Sequence, residues 1–99
     1  PLPDPRLITR YTVERFMGYG PFWYGHHAAF AYDHAAAIMK IRRPTLILTN
    51  TGDQIYENSK AAHRMRPDFD FCAVEGGGID IMDQEPEPWV RAIDDYMRA

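Results

Sequence analysis

The sequence is poor in several features that whole classes of protein depend on. Its single cysteine, Cys72, cannot form an intramolecular disulfide and has no cysteine companion for a metal site. The 11 basic and 14 acidic residues are interspersed and leave a formal net charge of -3, unlike the basic surface of a nucleic-acid-binding protein. No apolar run approaches transmembrane length, and the first residues do not resemble a signal peptide. We therefore expect no nucleic-acid partner, no membrane partner and a cytoplasmic location.

The four histidines are also badly placed for a metal site. His26 and His27 are adjacent, so on a helix their side chains point about 100° apart and cannot share an ion. His34 does not follow them at the i, i+4 spacing of a zinc-binding helix. We predict no metal site and no cofactor.

What is present indicates one small folded domain. Of the 99 residues, 45% are hydrophobic and 13% aromatic, which is enough for a core and too much for a disordered segment. The chain begins without methionine, in Pro-Leu-Pro-Asp-Pro. We expect it to be a piece of a longer protein.

Residues 43–55, Arg-Pro-Thr-Leu-Ile-Leu-Thr-Asn-Thr-Gly-Asp-Gln-Ile, form the most informative stretch. From Thr45 to Thr49 the residues are β-branched or aliphatic without alternation, which is typical of a strand buried on both faces of a parallel sheet. The turn-forming Asn-Thr-Gly-Asp then ends the strand. Open α/β sheets place their chemistry at the carboxyl ends of their strands, so Asp53 is a candidate site residue. The alternative is that Asp53 caps the following helix.

The remaining patterns predict helices on both sides of this strand and one further strand. Glu75-Gly-Gly-Gly is predicted to form a flexible turn after that second strand. Apolar spacing, prolines and glycines predict helices over residues 6–17, 22–40, 56–66 and from Pro86 onward, and strands over residues 45–49 and 70–74. Alternating strands and helices favour an α/β fold with a parallel sheet of about two strands.

Aromatic residues cluster at the start of the second predicted helix, at Phe22, Trp23 and Tyr24. Such a cluster either lines a pocket or belongs to the core, because aromatic side chains dominate buried area in proteins. The sequence leaves both interpretations open.

Three segments in the second part of the chain resemble the C-terminal part of the α/β-hydrolase fold. They are Ile-Arg-Arg-Pro-Thr-Leu-Ile-Leu at 41–48, Glu-Gly-Gly-Gly at 75–78 and Asp-Gln-Glu-Pro-Glu-Pro-Trp-Val-Arg-Ala-Ile at 83–93. The resemblance implies a cap-like helical segment over residues 1–40 and the C-terminal part of the core over residues 41–99. It places Asp53 in the position of the triad acid. It also implies that Phe22, Trp23 and Tyr24 belong to a cap over a substrate pocket.

The sequence departs from the family pattern at the other two members of the triad. The histidine position falls on Ile79, or on Asp80 if the loop slips by one residue, and neither side chain can shuttle a proton as an imidazole does. The chain contains no Gly-x-Ser-x-Gly elbow, and its only serine, Ser59, is predicted on the surface of a helix. Asn50 replaces the usual glycine after the strand, and asparagine tolerates a left-handed backbone. The chain alone is therefore expected to be catalytically incompetent.

Three hypotheses follow for function. In the first, the chain is a fragment of a hydrolase that cleaves ester, thioester or similar bonds in a small-molecule substrate. In that case a missing histidine has to come from elsewhere, with His63 predicted to face solvent and His26, His27 and His34 lying in the cap-like segment. In the second, it is a degenerate, non-catalytic binding module. In the third, it self-associates as a homodimer, through the sheet edge or by swapping its N-terminal helices.

Overall fold

The computed structural model describes residues 4–18, 20–21 and 23–99. The chain divides into an N-terminal unit, Pro1–Asp33, and a C-terminal unit, His34–Ala99. The elements in chain order are α1 (Pro5–Met17), α2 (Trp23–Ala31), α3 (His34–Ile38), β1 (Leu46–Asn50), α4 (Tyr56–Met65), β2 (Asp70–Val74), α5 (Ile81–Gln84) and α6 (Pro86–Arg98). The predicted division at residue 40 into a cap-like segment and a core part stays a prediction.

The N-terminal unit contains α1 and α2. Asp4 is the N-cap of α1, with its side chain accepting a hydrogen bond from the Arg6 N–H at 2.9 Å and Pro5 in the first helical turn. The helix predicted over residues 6–17 is confirmed and begins one residue earlier, at Pro5. The single helix predicted over residues 22–40 is wrong, because α2 ends at Ala31 and α3 begins only at His34. Asp33 lies in the break, and aspartate favours helix starts over helix interiors.

The C-terminal unit is built on a two-stranded parallel sheet. The register pairs Leu46 with Asp70 and continues to Asn50 opposite Val74, so both strands end at the same edge. Helix α4 connects the strands and contacts β1, while α6 contacts β2 and α5. Strand β1 is fully buried only at its carboxyl end and half-buried before it, so burial on both faces was predicted too broadly.

Two large apolar side chains are buried in the described part of this unit, one near each end of the sheet. Phe69 precedes β2 and Ile81 begins α5, and both are almost completely shielded from solvent. Two polar residues, Thr49 and Asn50, are also buried, at the carboxyl end of β1. Among the helices of the described ranges, none combines the length and apolar character needed to cross a bilayer.

Arg66, directly after α4, binds the segment between α3 and β1. Its guanidinium donates to the carbonyl oxygens of Ile38 at 2.6 Å and Ile41 at 2.9 Å. It also donates to both carboxylate oxygens of Asp68, at 2.8 and 2.6 Å, and lies 4.1 Å from the centre of the Phe69 ring. Such two-pronged pairing is the strong geometry for an arginine and a carboxylate.

This pair predicts a loss of stability in acid. The hydrogen bond from Arg66 lowers the pKa of Asp68 below its usual range. The folded state therefore binds fewer protons at this carboxyl than the unfolded state, and the contribution is present above about pH 3.9 and lost as pH falls through the lowered pKa. Urea unfolding followed by circular dichroism should show a steeper acid loss for the wild type than for Asp68→Asn. Identical pH dependence in the two proteins contradicts the prediction.

Candidate functional site

The carboxyl ends of β1 and β2 carry the two loops that hold the predicted site residues. The acid turn, residues 51–55, follows β1 and contains Asp53, while the glycine loop, residues 75–80, follows β2 and contains Ile79. Because the strands are parallel and paired to their last residues, both loops leave the sheet at one edge. This is the edge at which open α/β sheets place ligands and catalytic groups.

Asp53 orders the turn before α4. Its N–H donates to the carbonyl oxygen of Asn50 at 3.2 Å, and its Oδ1 accepts a hydrogen bond from the Ile55 N–H at 3.0 Å. The N-cap of α4 is Ile55, which makes no side-chain cap bond. Asp53 therefore forms a turn ahead of the helix and is not its N-cap. The side chain is half-buried, and its assignment as the triad acid stays a prediction.

Backbone and hydroxyl groups join the acid turn to the glycine loop. The Thr51 N–H donates to the Val74 carbonyl oxygen at 2.9 Å and extends the ladder by one residue. The Gly76 N–H donates to Thr51 Oγ1 at 2.8 Å, and the Gly52 N–H donates to the Gly76 carbonyl oxygen at 3.1 Å. The two loops are thus bound directly to each other beyond the sheet.

Asn50 has a larger structural role than the sequence predicts. It is 1% exposed, and its Nδ2 donates to the carbonyl oxygens of Gly76 at 2.9 Å and Gly78 at 3.1 Å. No described residue other than glycine has a positive φ, so Asn50 does not use the left-handed backbone that asparagine tolerates. The signal available in the sequence was a polar amide at the last position of an otherwise apolar strand.

The glycine loop was predicted to be a flexible turn. In the structure the side chains of Asn50, Thr51 and Gln84 bind its backbone. Gly76 and Gly77 have φ of 76° and 68°, the left-handed region that favours glycine. Gly78 donates its N–H to Gln84 Oε1 at 3.1 Å, which fixes the loop to α5. A Cβ on Gly52 would overlap the carbonyl oxygen of Gly77, so the two backbones pass each other at a distance that only glycine permits.

Ile79 lies directly after the carbonyl that Asn50 binds. Its side chain is 71% exposed. Its neighbour Asp80 is half-buried, and the Asp80 carbonyl oxygen accepts from the N–H groups of Asp83 at 3.0 Å and Gln84 at 3.1 Å, which starts α5. The assignment of Ile79 to the histidine position stays a prediction.

The aromatic candidates belong to the N-terminal unit. Phe22 lies outside the described residues. Trp23 and Tyr24 are exposed on α2, with ring centroids 4.6 Å apart in an edge-to-face arrangement. Their exposure within this chain means that they are not part of a core there, and their role in a substrate pocket stays a prediction.

The prediction that His63 faces solvent is wrong. Its ring stacks on Phe71 with centroids 5.1 Å apart, and its Nδ1 is buried without a hydrogen-bond partner among the described residues. Phe71 is the second residue of β2, so this imidazole lies towards the amino end of the strand, away from the acid turn. Within the described ranges, no three or more His, Cys, Asp or Glu side chains are arranged to hold a metal ion.

The parallel strands, flanking helices and joined loops form a partial α/β fold, and it matches part of the α/β-hydrolase fold. A solved structure bears this out, the crystal structure of E-2-(acetamidomethylene)succinate hydrolase, which matches with a TM-score of 0.64 and 24% sequence identity. The match covers 70% of this chain and 26% of that chain. The predicted resemblance and fold class are thereby confirmed. No protein-family model and no curated protein sequence matches this chain.

Proposed function

We propose that this chain is the C-terminal part of an α/β-hydrolase-like protein that cleaves an ester, thioester or similar bond in a small-molecule substrate. The observation that supports the proposal is the joining of the two loops at the carboxyl edge of the sheet, one with Asp53 and the other with the residue in the histidine position. On this proposal the chain is not catalytically competent by itself.

The role of Asp53 in this proposal is that of an acid that orients an imidazole. A triad carboxylate accepts a hydrogen bond from the imidazole and stabilises the imidazolium that forms during acyl transfer. The bond from Ile55 to Asp53 Oδ1 holds the carboxylate in one orientation. Ser59 cannot act as the nucleophile of such a site: it lies half-buried on α4, with Oγ donating to the Ile55 carbonyl oxygen at 3.4 Å. The nucleophile and the imidazole have to be supplied by other chain segments.

A serine-reactive fluorophosphonate tests the proposal on the full-length gene product. We expect the full-length protein to be labelled and this 99-residue chain to remain unlabelled. Asp53→Asn in the full-length protein should slow labelling by up to about 10⁴-fold, because the imidazole loses its orienting carboxylate.

The matched control is Asp68→Asn, which removes a carboxylate at the other end of β2 and should leave the labelling rate unchanged. A gene product that is folded but unlabelled, or labelled equally in wild type and Asp53→Asn, refutes the proposed chemistry.

The second candidate is a non-catalytic module that binds a small molecule with the hydrolase scaffold. The exposed Ile79 at the histidine position favours it, because an aliphatic side chain there offers apolar contact and no proton transfer. A folded, unlabelled full-length protein supports this candidate. The predicted cytoplasmic location and the predicted homodimer remain proposals, and sedimentation equilibrium of this chain tests the dimer.

A further inference from the structure

Asn50 is bonded to both loops of the candidate site at once. Its backbone carbonyl oxygen accepts from the Asp53 N–H at 3.2 Å, inside the acid turn. Its side-chain Nδ2 donates to the carbonyl oxygens of Gly76 and Gly78, inside the glycine loop. Gly78 is the residue immediately before Ile79. One residue thus spans the distance between the turn with the acid and the position of the missing imidazole.

The side chain is well suited to hold these carbonyls. The amide NH₂ group has two hydrogens, and each has an acceptor. The residue is almost completely buried, so water does not compete for these bonds and their electrostatic strength is greater than on the surface. Both of these side-chain bonds end on loop carbonyls, and the β1 and β2 ladder pairs through backbone groups.

We propose that Asn50 is a positioning residue, which fixes the backbone of the glycine loop so that residue 79 is presented to the Asp53 carboxylate. The inference rests on the proposed function for the role of Asp53 and of position 79. The new element is Asn50, which sets the distance between Asp53 and residue 79. Removing the amide should leave the sheet intact and release the loop that carries residue 79.

The test places an imidazole at the site and reads its pKa. In the variant Ile79→His, a carboxylate within hydrogen-bond reach raises the imidazole pKa above the usual value of about 6.5, and we expect a rise of about one unit. Titration followed by NMR reports this pKa as the one imidazole signal absent from the wild-type spectrum. Glu75 and Asp80 flank the position and are kept in every variant, so their contribution cancels. Adding Asp53→Asn should remove the rise.

Asn50→Ala in the same background should also remove the rise, since the loop is no longer held to the acid turn. If Asn50→Ala does not fold, Asn50→Ser replaces it as the test variant. Serine keeps one hydrogen-bond donor, so the imidazole pKa should be intermediate. Thr49→Val is the matched control: Thr49 is the buried neighbour, and its Oγ1 has no hydrogen-bond partner among the described residues. It should preserve the rise.

The outcomes separate the two proposals. An imidazole pKa that does not depend on Asp53 overturns the site assignment and the positioning role together. A rise that needs Asp53 but persists in folded Asn50→Ala and Asn50→Ser overturns only the positioning role of Asn50. A rise lost in the Asn50 variants and kept in Thr49→Val supports it.

Discussion

Gly52→Ala is expected to lower the free energy of unfolding of the C-terminal unit by about 3 kcal/mol, the upper end of what overpacking costs. The added Cβ would overlap the Gly77 carbonyl oxygen and lie 3.1 Å from the Gly76 carbonyl oxygen. All of these atoms are backbone, so no side chain can rotate away. The glycine loop cannot retreat either, because Asn50 and Thr51 bind it.

Urea unfolding followed by circular dichroism measures this loss, and two other glycines provide controls. Gly76 has a positive φ but open space where a Cβ would lie. Gly76→Ala should therefore lower the free energy of unfolding by about 1–2 kcal/mol, the cost of a left-handed backbone at a residue with a Cβ. Gly25 lies in α2 with open space, and Gly25→Ala should stabilise that helix by up to about 1 kcal/mol. A loss at Gly52 no larger than that at Gly76 contradicts the close approach.

Phe69→Ala is expected to cost about 3–5 kcal/mol, the range measured for truncating buried aromatic residues. Phe69 is 4% exposed and is one of two large apolar side chains buried in the described residues. The substitution also removes the ring on which the Arg66 guanidinium lies. Since native proteins have only about 5–15 kcal/mol of total stability, such a loss is a large fraction of what a domain has.

The same truncation at an exposed phenylalanine is the control. Phe16 on α1 is 85% exposed, and Phe16→Ala should change stability by no more than about 0.5 kcal/mol. Thermal unfolding of both variants beside the wild type provides the comparison. Similar losses at the two positions mean that the burial of Phe69 does not stabilise the C-terminal unit.

Elements set by local patterns were predictable from the sequence. Strand β2 spans the predicted residues Asp70–Val74, and β1 differs from its predicted range by one residue. The start of α1 follows from Asp4 and Pro5, which are adjacent in the chain. In each case the decisive groups lie within a few residues of one another. The sequence pattern therefore contains the information.

Features that depend on distant groups were not predictable in this way. The role of Asn50 depends on carbonyls 26 and 28 residues away, and the packing of His63 depends on Phe71 of another element. The alanine-rich helix predicted over residues 22–40 was wrong, since propensity sums over a window and does not show a single break. The one-turn helix Ile81–Gln84 was missed because so short a segment has no periodicity.

The side-chain bonds of Asn50 and Thr51 to the glycine loop connect residues 25, 26 and 28 positions apart, and the segment between them contains α4 and β2. We expect these bonds to form only when the strands are paired, because both loops start where the register of β1 and β2 ends. In native-state hydrogen exchange, the amides of Gly52 and Gly76 should open together with this whole segment, as one cooperative unit. Helix α4 is thus expected to open with the site, although its side chains make none of these three bonds.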